Sequence, residues 1–161
     1  MTVRDTSASL VFTGEAQRHF MEEALAESRH ALPVCQPNPP VGCVIVRGGA
    51  IVARGYTGAP GEPHAEAAAL RALGPDAQAG DLAMFVTLEP CAFVGRTPSC
   101  AWALVHSGIR TVFVGTLDPD PRNNGAGIEI MRAAGIDVTV GIDEARVLAF
   151  IGPYLTRPQQ A

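Results

Sequence analysis

The amino-acid sequence predicts an α/β protein, a three-layer α/β/α sandwich built around a mixed five-stranded sheet. Two apolar runs, residues 41–47 and 51–56, are joined by Gly48-Gly49, which is a strong signal for a β-hairpin. After this hairpin, apolar runs of strand length alternate with segments of helical periodicity, which is typical of a sheet that carries helices on its faces. The near-continuous apolar character of the first run indicates a strand that is covered on both sides.

The individual elements follow from periodicity and from the residues that end each segment. Residues 15 to about 32 form the first predicted helix, because apolar residues recur at helical spacing until Pro33. The next segment, QPNPP at 36–40, is a rigid loop because proline fixes the backbone and supplies no donor. The later predicted elements are helices at 64–73, 98–107, 127–134 and 144–151 and strands at 83–88, 111–115 and 136–140. Residues 1–13 show no sustained period and are interpreted as an N-terminal extension, which leaves 14–161 as a single domain.

Composition and charge exclude several classes of function. With 161 residues, 47% of them apolar and 17% charged, the chain is long enough for one globular domain with a substantial core. The net charge of −4 argues against a general nucleic-acid-binding protein. No apolar run approaches the length of a membrane-spanning helix, and the first residues lack the apolar stretch of a signal peptide. The four cysteines, two of them in a ligand-like arrangement, fit a reducing compartment. We therefore expect a cytoplasmic protein with no membrane and no nucleic-acid partner.

One histidine and two cysteines lie where a catalytic zinc site would draw its ligands. His64 opens a predicted helix directly after a loop, Cys91 follows a predicted strand, and Cys100 lies in the first turn of the next helix. Such positions converge in open α/β sheets, where ligands bind at the points where strands lead into helices. Three protein ligands leave a fourth position open, as catalytic zinc sites require, whereas structural sites usually close with four. The sequence predicts one Zn²⁺ per chain, held by His64, Cys91 and Cys100.

Glu66 lies two residues after the histidine and is placed to move protons. An H-x-E sequence followed later by Pro-Cys and a second cysteine is the signature of zinc deaminases of nucleobases. In that chemistry zinc makes hydroxide available near neutral pH, and the glutamate carries protons from water to a ring nitrogen and to the departing amine. Two other interpretations stay open: a non-catalytic interaction domain stabilised by zinc, and a deaminase that edits nucleic acid, which the acidic charge opposes.

Four segments carry a more specific pattern. They are PNPPVGCVIV at 37–46, GEPHAE at 61–66, TLEPCAFVGRTPSC at 87–100 and DPDP at 118–121. Together they resemble the pyrimidine deaminase domain of riboflavin biosynthesis, whose pattern is H-A-E, then T-L-E-P-C-S-H-x-G-[RK]-T-P-P-C, and later D-P-N-P. The resemblance extends over about residues 21–141. It implies the cytidine deaminase-like fold, the zinc ligands and proton shuttle given above, a small amino-heterocycle and water as reactants, and assembly as a homodimer or homotetramer. In many bacteria this domain is fused to a reductase; the present sequence ends at residue 161, so we expect no reductase domain.

Residues expected near the substrate depart from the family pattern, whereas the predicted zinc ligands and Glu66 match it. Ala92-Phe93 replaces the Ser-His that follows the first cysteine, Thr57 replaces a histidine before G-E-x-H-A-E, and Asp120 replaces the asparagine of D-P-N-P. The basic residue of a later G-[KR]-G is Ala126 here. Each change removes a donor or a positive charge, and a phosphate needs charge-assisted donors.

Two substrate classes therefore stay open at this point. One is the phosphorylated diaminopyrimidinone ribosylamine of the family, and the other is a different amino-heterocycle or nucleoside, including one without a phosphate. We expect substrate contacts from Asn38, Phe93, Arg96 and Asp118, with the Phe93 ring stacking on a heterocycle. We also expect Glu89, which precedes Pro-Cys, to form hydrogen bonds with the backbone of the site.

Overall fold

A five-stranded sheet with helices on both faces forms the fold in a computed structural model that describes residues 10–74, 79–95 and 97–155. The strands are β1 (Gly42–Arg47), β2 (Ala50–Tyr56), β3 (Leu82–Leu88), β4 (Thr111–Thr116) and β5 (Asp137–Val140). The helices are α1 (Gly14–Ser28), α2 (Ala65–Leu73), α3 (Cys100–Ser107), α4 (Ala126–Ala133) and α5 (Glu144–Leu155). The predicted fold class is confirmed, because the described residues contain all five predicted strands and every predicted helix.

The sheet is mixed, with strand order β2-β1-β3-β4-β5. β1 pairs antiparallel with both β2 and β3, whereas β3, β4 and β5 run parallel. Gly48 and Gly49 both adopt positive φ angles, 56° and 79°, which a two-residue hairpin turn of the type I′ class requires. β3 and β4 are buried along their whole length, as expected for central strands of a sheet covered on both faces.

The helices divide between the two faces of the sheet. On one face α2 contacts α3 and α3 contacts α4, and α2 also packs directly on β1 and β2. A Cβ atom at Gly55 of β2 would lie 2.3 Å from the Ala65 carbonyl oxygen, so a glycine is required for α2 to approach this closely. α1 packs on the other face with α5, where Arg146 forms an ion pair with Glu22 and Arg29 stacks on the Phe150 ring.

Several helix boundaries differ from the sequence-based expectation: α3 begins at Cys100 rather than at residue 98, α5 continues to Leu155 rather than ending at residue 151, and the first helix differs at both ends. α1 begins after Thr13, whose hydroxyl accepts a hydrogen bond from the Ala16 N–H, and it ends at Ser28 rather than near residue 32. A short 3₁₀ turn at 29–31 follows, because Leu32 precedes a proline and is held in an extended conformation.

The end of the predicted N-terminal extension contacts the core. The Phe12 ring packs edge-on against Phe20, Phe85 and Phe113 at centroid distances of 5.3 to 6.1 Å. Residues 10–13 of the predicted 1–13 extension therefore lie against the domain, while residues 1–9 lie outside the described part of the chain. Among the described residues, no helix combines the length and the apolarity needed to cross a bilayer.

Candidate active site

The three predicted zinc ligands come together at the carboxyl end of β3. His64 is the N-cap residue of α2, Cys91 lies three residues beyond β3, and Cys100 is the first residue of α3. Ser99 fixes the start of α3: its hydroxyl donates to the Cys91 carbonyl at 2.8 Å and accepts from the Trp102 N–H. This local capping joins the two cysteines although eight residues separate them in the sequence.

The ligand atoms have the spacing that a tetrahedral zinc ion needs. His64 Nδ1 lies 3.8 Å from Cys91 Sγ and 3.4 Å from Cys100 Sγ, and all three atoms lie within 4.8 Å of one another. Zn–S bonds of about 2.3 Å and Zn–N bonds of about 2.0–2.1 Å place neighbouring ligand atoms roughly 3.5–3.8 Å apart. The donor set of one imidazole and two sulfurs is also one that zinc prefers. The residues present therefore fit this metal.

Thr97 orients the histidine. Its hydroxyl lies 3.1 Å from His64 Nε2, on the side of the imidazole away from the cysteines. A ligand that binds through Nδ1 carries its proton on Nε2, so His64 donates this hydrogen bond to Thr97 Oγ1. Thr97 is buried, and its hydroxyl can accept the hydrogen bond of the tautomer that leaves Nδ1 free to bind a metal.

The two sulfurs differ in their affinity for protons. The hydrogen bond from the Cys100 thiol, reinforced by His64 and by the Cys100 backbone N–H at 3.2 Å from Cys91 Sγ, lowers the pKa of Cys91 to about 5. Cys100 is the donor of that pair, and its own pKa is raised by this bond and by burial. Cys91 is consequently a thiolate near neutral pH, and the pair holds one proton in the absence of a metal.

Glu66 lies in the first turn of α2, two residues from His64, and is only 3% exposed. Burial, together with the negative charge of Cys91, raises the pKa of Glu66 to about 7. A carboxyl group with a pKa near the working pH exchanges protons readily in both directions. Glu66 faces the same pocket as His64 and Cys91, so it is positioned to act beside the ligands without being one.

Three of the four predicted substrate-binding residues line this pocket. Asn38 and Asp118 are both buried, and Phe93 is half-buried at one side. Asp118 is held by two hydrogen bonds: its Oδ1 accepts from the Asp120 N–H and its Oδ2 accepts from the Asn123 amide. Arg96, the fourth predicted residue, lies outside the described residues.

Glu89 forms hydrogen bonds with the backbone of the site, as the sequence predicts. These bonds connect the loop that follows β3 and carries Cys91, which we call the metal loop, to the loop after β4. Its carboxylate accepts hydrogen bonds from the backbone N–H groups of Asp118, Gly125 and Gly127 at 2.9 to 3.1 Å. A Cβ atom at Gly127 would lie 2.0 Å from the Pro90 carbonyl oxygen, so only glycine allows the start of α4 to approach the metal loop. The carboxylate thereby sets the distance between the zinc ligands and the Asp118 side of the pocket.

Sequence reasoning missed three residues of the site: Thr97, Arg122 and Asn123. The sequence contains a signal for Thr97, because this residue belongs to the GRTP segment between the two cysteines. Asn123 lines the pocket, and its Oδ1 accepts from the Ala92 N–H while its Nδ2 donates to Asp118. Arg122 stacks on the Phe93 ring. The last two lie in a loop without periodicity, and no sequence signal identifies their partners some 30 residues away.

Comparisons with known proteins find relatives of this chain among riboflavin biosynthesis proteins. The chain is 46% identical to the riboflavin biosynthesis protein RibD of Aquifex aeolicus over 136 residues, which cover 83% of this chain and 38% of that protein. Among solved structures, RibD of Acinetobacter baumannii superposes with a TM-score of 0.82 at 39% identity, covering 89% of this chain and 40% of that one. The diaminohydroxyphosphoribosylaminopyrimidine deaminase/5-amino-6-(5-phosphoribosylamino)uracil reductase of Thermotoga maritima superposes with a TM-score of 0.81 at 38% identity, covering 89% and 41%.

The present chain thus spans about two fifths of the length of these relatives. The sequence model of the cytidine and deoxycytidylate deaminase zinc-binding region matches residues 14–116, which contain His64, Glu66, Cys91 and Cys100. These findings confirm the resemblance predicted from the motifs. The chain therefore belongs to the family of the cytidine and deoxycytidylate deaminase zinc-binding region.

Proposed function

We propose that the protein is a zinc-dependent hydrolytic deaminase that removes an exocyclic amine from an aminopyrimidine of the riboflavin-pathway type. The observation that carries this proposal is that a buried glutamate, Glu66, faces the same pocket as a metal-ligand set with one open position. His64, Cys91 and Cys100 would hold the zinc ion, which when bound would make hydroxide available near neutral pH. Every proton that moves during the reaction then needs a carrier from the protein.

Glu66 is that carrier in the proposed reaction. Its carboxylate takes one proton from the attacking water and delivers it to a ring nitrogen. It then takes the second proton from the hydroxyl now on the ring carbon and delivers it to the amine, which leaves as ammonia as the carbonyl forms. Burial supports this cycle, since a desolvated carboxyl group has similar free energies in its protonated and ionised forms near neutral pH. Thr97 and the capped start of α3 support it by holding His64 and Cys100 in fixed orientations.

We propose that residues lining the pocket hold the heterocyclic ring of the substrate. Asp118 offers carboxyl oxygens suited to a ring amine or a ribose hydroxyl, and Asn38 offers an amide that pairs with a ring edge. Phe93 offers a ring face for stacking. Arg96 remains a proposed anion contact from the sequence alone. The phosphorylated diaminopyrimidinone named for the Thermotoga maritima relative is therefore the first substrate to test.

A second substrate class is favoured by one observation. Among the described residues, the pocket lining contains no lysine and no arginine, whereas a phosphate binds best to such charged donors. The second candidate is accordingly the same aminopyrimidine without its phosphate, or another uncharged amino-heterocycle.

The test is ammonia release by the zinc-loaded protein from the diaminopyrimidinone offered with and without its phosphate. Turnover of either form at more than about 0.1 per second, removed by a chelator and restored by zinc, is the expected result. A zinc-loaded, folded protein that releases ammonia from neither form contradicts the proposed function. A deaminase of another uncharged amino-heterocycle and a non-catalytic zinc-stabilised domain are then the interpretations that stand.

Assembly and location complete the proposal. We propose a homodimer or homotetramer, which light scattering coupled to size-exclusion chromatography tests directly. We also propose that the reaction takes place in the cytoplasm, which fractionation of cells expressing the tagged protein tests.

A further inference from the structure

Arg122 lies beside the pocket, in the loop between β4 and α4, and stacks on a ring that lines it. The guanidinium carbon of Arg122 lies 3.9 Å from the centroid of the Phe93 ring. Cation–π contacts operate within about 6 Å, and a planar guanidinium stacks well on an aromatic face. One face of the Phe93 ring is therefore covered by Arg122, while the side chain as a whole borders the pocket.

Asp120 holds the guanidinium in this position. Arg122 Nε donates to both oxygens of the Asp120 carboxylate at 3.1 and 3.2 Å, and Nη2 donates to Oδ2 at 2.6 Å. The same carboxylate accepts the Arg122 backbone N–H at 3.0 Å. One edge of the guanidinium fork is thus occupied by a carboxylate of the same loop, and its charge is balanced there. We call Phe93, Asp120 and Arg122 the rim cluster.

The backbone on both sides of the rim cluster is fixed by a single side chain. Asn123, next to Arg122, accepts the N–H of Ala92, which is next to Phe93. The other end of the same amide donates to Asp118, and Asp118 in turn accepts the Asp120 N–H. Both partners of the stack are therefore anchored one residue away from the contact, which reduces the entropy lost in forming it.

We propose that Arg122 is a positioning residue that fixes Phe93 as an aromatic wall of the pocket, and that this wall selects the flat face of an uncharged heterocyclic ring. The proposal rests on the proposed function and deepens it by naming the part of the substrate that meets this wall. We assign Arg122 to positioning rather than to phosphate binding, because Asp120 occupies one edge of its guanidinium and the Phe93 ring occupies one face.

Substitutions that separate stacking from charge test the rim cluster. Zinc-loaded wild type, Arg122→Gln, Asp120→Asn, Phe93→Ala and Phe93→Tyr are assayed for kcat and KM with the phosphorylated and the dephosphorylated diaminopyrimidinone. Dissociation constants for both forms are measured by calorimetry in a Glu66→Gln background. Arg54→Gln is the matched control: Arg54 is 44% exposed against 45% for Arg122, and it also pairs with acidic side chains, but it lies on β2 away from the pocket lining.

We expect substitutions that disturb the stack to weaken binding of the substrate ring equally for the phosphorylated and the dephosphorylated form. Arg122→Gln raises KM and Kd about twofold to fivefold for both forms alike, with little change in kcat. Asp120→Asn changes them in the same direction, because the guanidinium is then less well held. Phe93→Ala raises both constants about tenfold or more, Phe93→Tyr recovers most of that loss, and Arg122→Gln adds nothing in the Phe93→Ala background.

Three results overturn the proposal. A selective loss of the phosphorylated form in Arg122→Gln, or its selective gain in Asp120→Asn, makes Arg122 a phosphate receptor. Additive effects of Arg122→Gln and Phe93→Ala show that the arginine does not act through the ring. Failure of both forms to bind removes the substrate class named here together with the proposed function. Binding without turnover by the zinc-loaded wild type removes only the proposed function and leaves the aromatic wall to be judged by the dissociation constants.

Discussion

At the scale of single residues, the chemistry depends on where protons are held. The site combines a thiolate, a thiol and a carboxyl group whose pKa is about 7 within one buried cluster. Charges this close cannot titrate independently, so each group sets the protonation of the next. Substitutions that change one proton-carrying atom and little else are therefore the most informative.

Replacing Glu66 with glutamine keeps the shape of the side chain and removes its ability to carry a proton. We expect kcat to fall about a thousandfold while the zinc content and the melting temperature stay close to those of the wild type. Ammonia release, metal analysis and thermal unfolding on the same preparation measure the three quantities. An unchanged rate would show that another group moves the protons.

The affinity for zinc should rise with pH, because Cys100 must lose a proton before it binds. Cys91 is already a thiolate, since its pKa lies near 5, whereas the pKa of Cys100 is raised. Release of one proton makes the Kd for zinc fall about tenfold per pH unit between pH 7 and 8. Wherever His64 is protonated a second proton must be released and the fall is steeper, and the raised pKa of His64 extends this range above that of an ordinary imidazole.

Competition with a chromophoric chelator at several pH values measures this slope. The variant Cys35→Ser is the control, because Cys35 is a buried thiol outside the ligand set and its loss should leave the slope unchanged. An affinity that does not vary with pH would mean that both sulfurs are already deprotonated in the metal-free protein.

At the scale of secondary-structure elements, Glu89 is the link between β3 and the start of α4. A carboxylate that accepts three backbone N–H groups at a buried position satisfies donors that have no other role in the sheet or helices. The distance between the metal loop and the loop that carries Asp118 consequently depends on one side chain.

Glu89→Gln should therefore weaken both the fold and the pocket. The glutamine NH₂ group would face N–H donors, so at least one buried donor loses its partner, at a cost of about 1–3 kcal/mol in the free energy of unfolding. Urea denaturation measures this change, and KM for the turned-over substrate should rise in parallel. Glu129→Gln on the exposed side of α4 is the matched control and should change the stability by less than about 0.5 kcal/mol. Equal changes in the free energy of unfolding for the two variants would show that Glu89 does not link β3 to the start of α4.

At the scale of the whole molecule, the apolar core and the candidate metal site are formed by different residues that lie next to one another. The apolar core is formed by the sheet and by the inner faces of the helices, and it includes none of the three ligands. The fold should therefore persist without metal, while the ligands and the loops that carry them lose a constraint.

Removal of zinc by a chelator should lower the melting temperature by at least about 5 °C without abolishing the secondary structure. A ligand that binds only the folded state at 100 times its Kd stabilises it by about 2.7 kcal/mol, and a domain of this size shifts by about 2–4 °C per kcal/mol. Thermal unfolding followed by circular dichroism, with zinc added back and with magnesium as the control ion, measures the effect. Loss of the far-ultraviolet signal on chelation would show instead that the metal is required for folding.

The fold class and the clustering of His64, Cys91 and Cys100 beside Glu66 followed from the sequence alone. Local patterns determine these features, since strand and helix periods differ and His64, Cys91 and Cys100 each lie at the boundary of an element. The helix that was predicted to reach residue 32 shows the limit of this reasoning: it ends at Ser28. Helix ends depend on capping and on the following chain, which periodicity does not report.

Only the tertiary structure decided which loops meet around the pocket. Asn123 pairs with Ala92, Arg122 with Phe93 and Glu89 with Gly127 across sequence separations of 29 to 38 residues. These partners lie outside regular elements or at their very ends, where neither the helical nor the strand period constrains a side chain. Their pairing follows from the parallel arrangement of β3 and β4, because the segments leaving the carboxyl ends of adjacent parallel strands emerge side by side at one edge of the sheet.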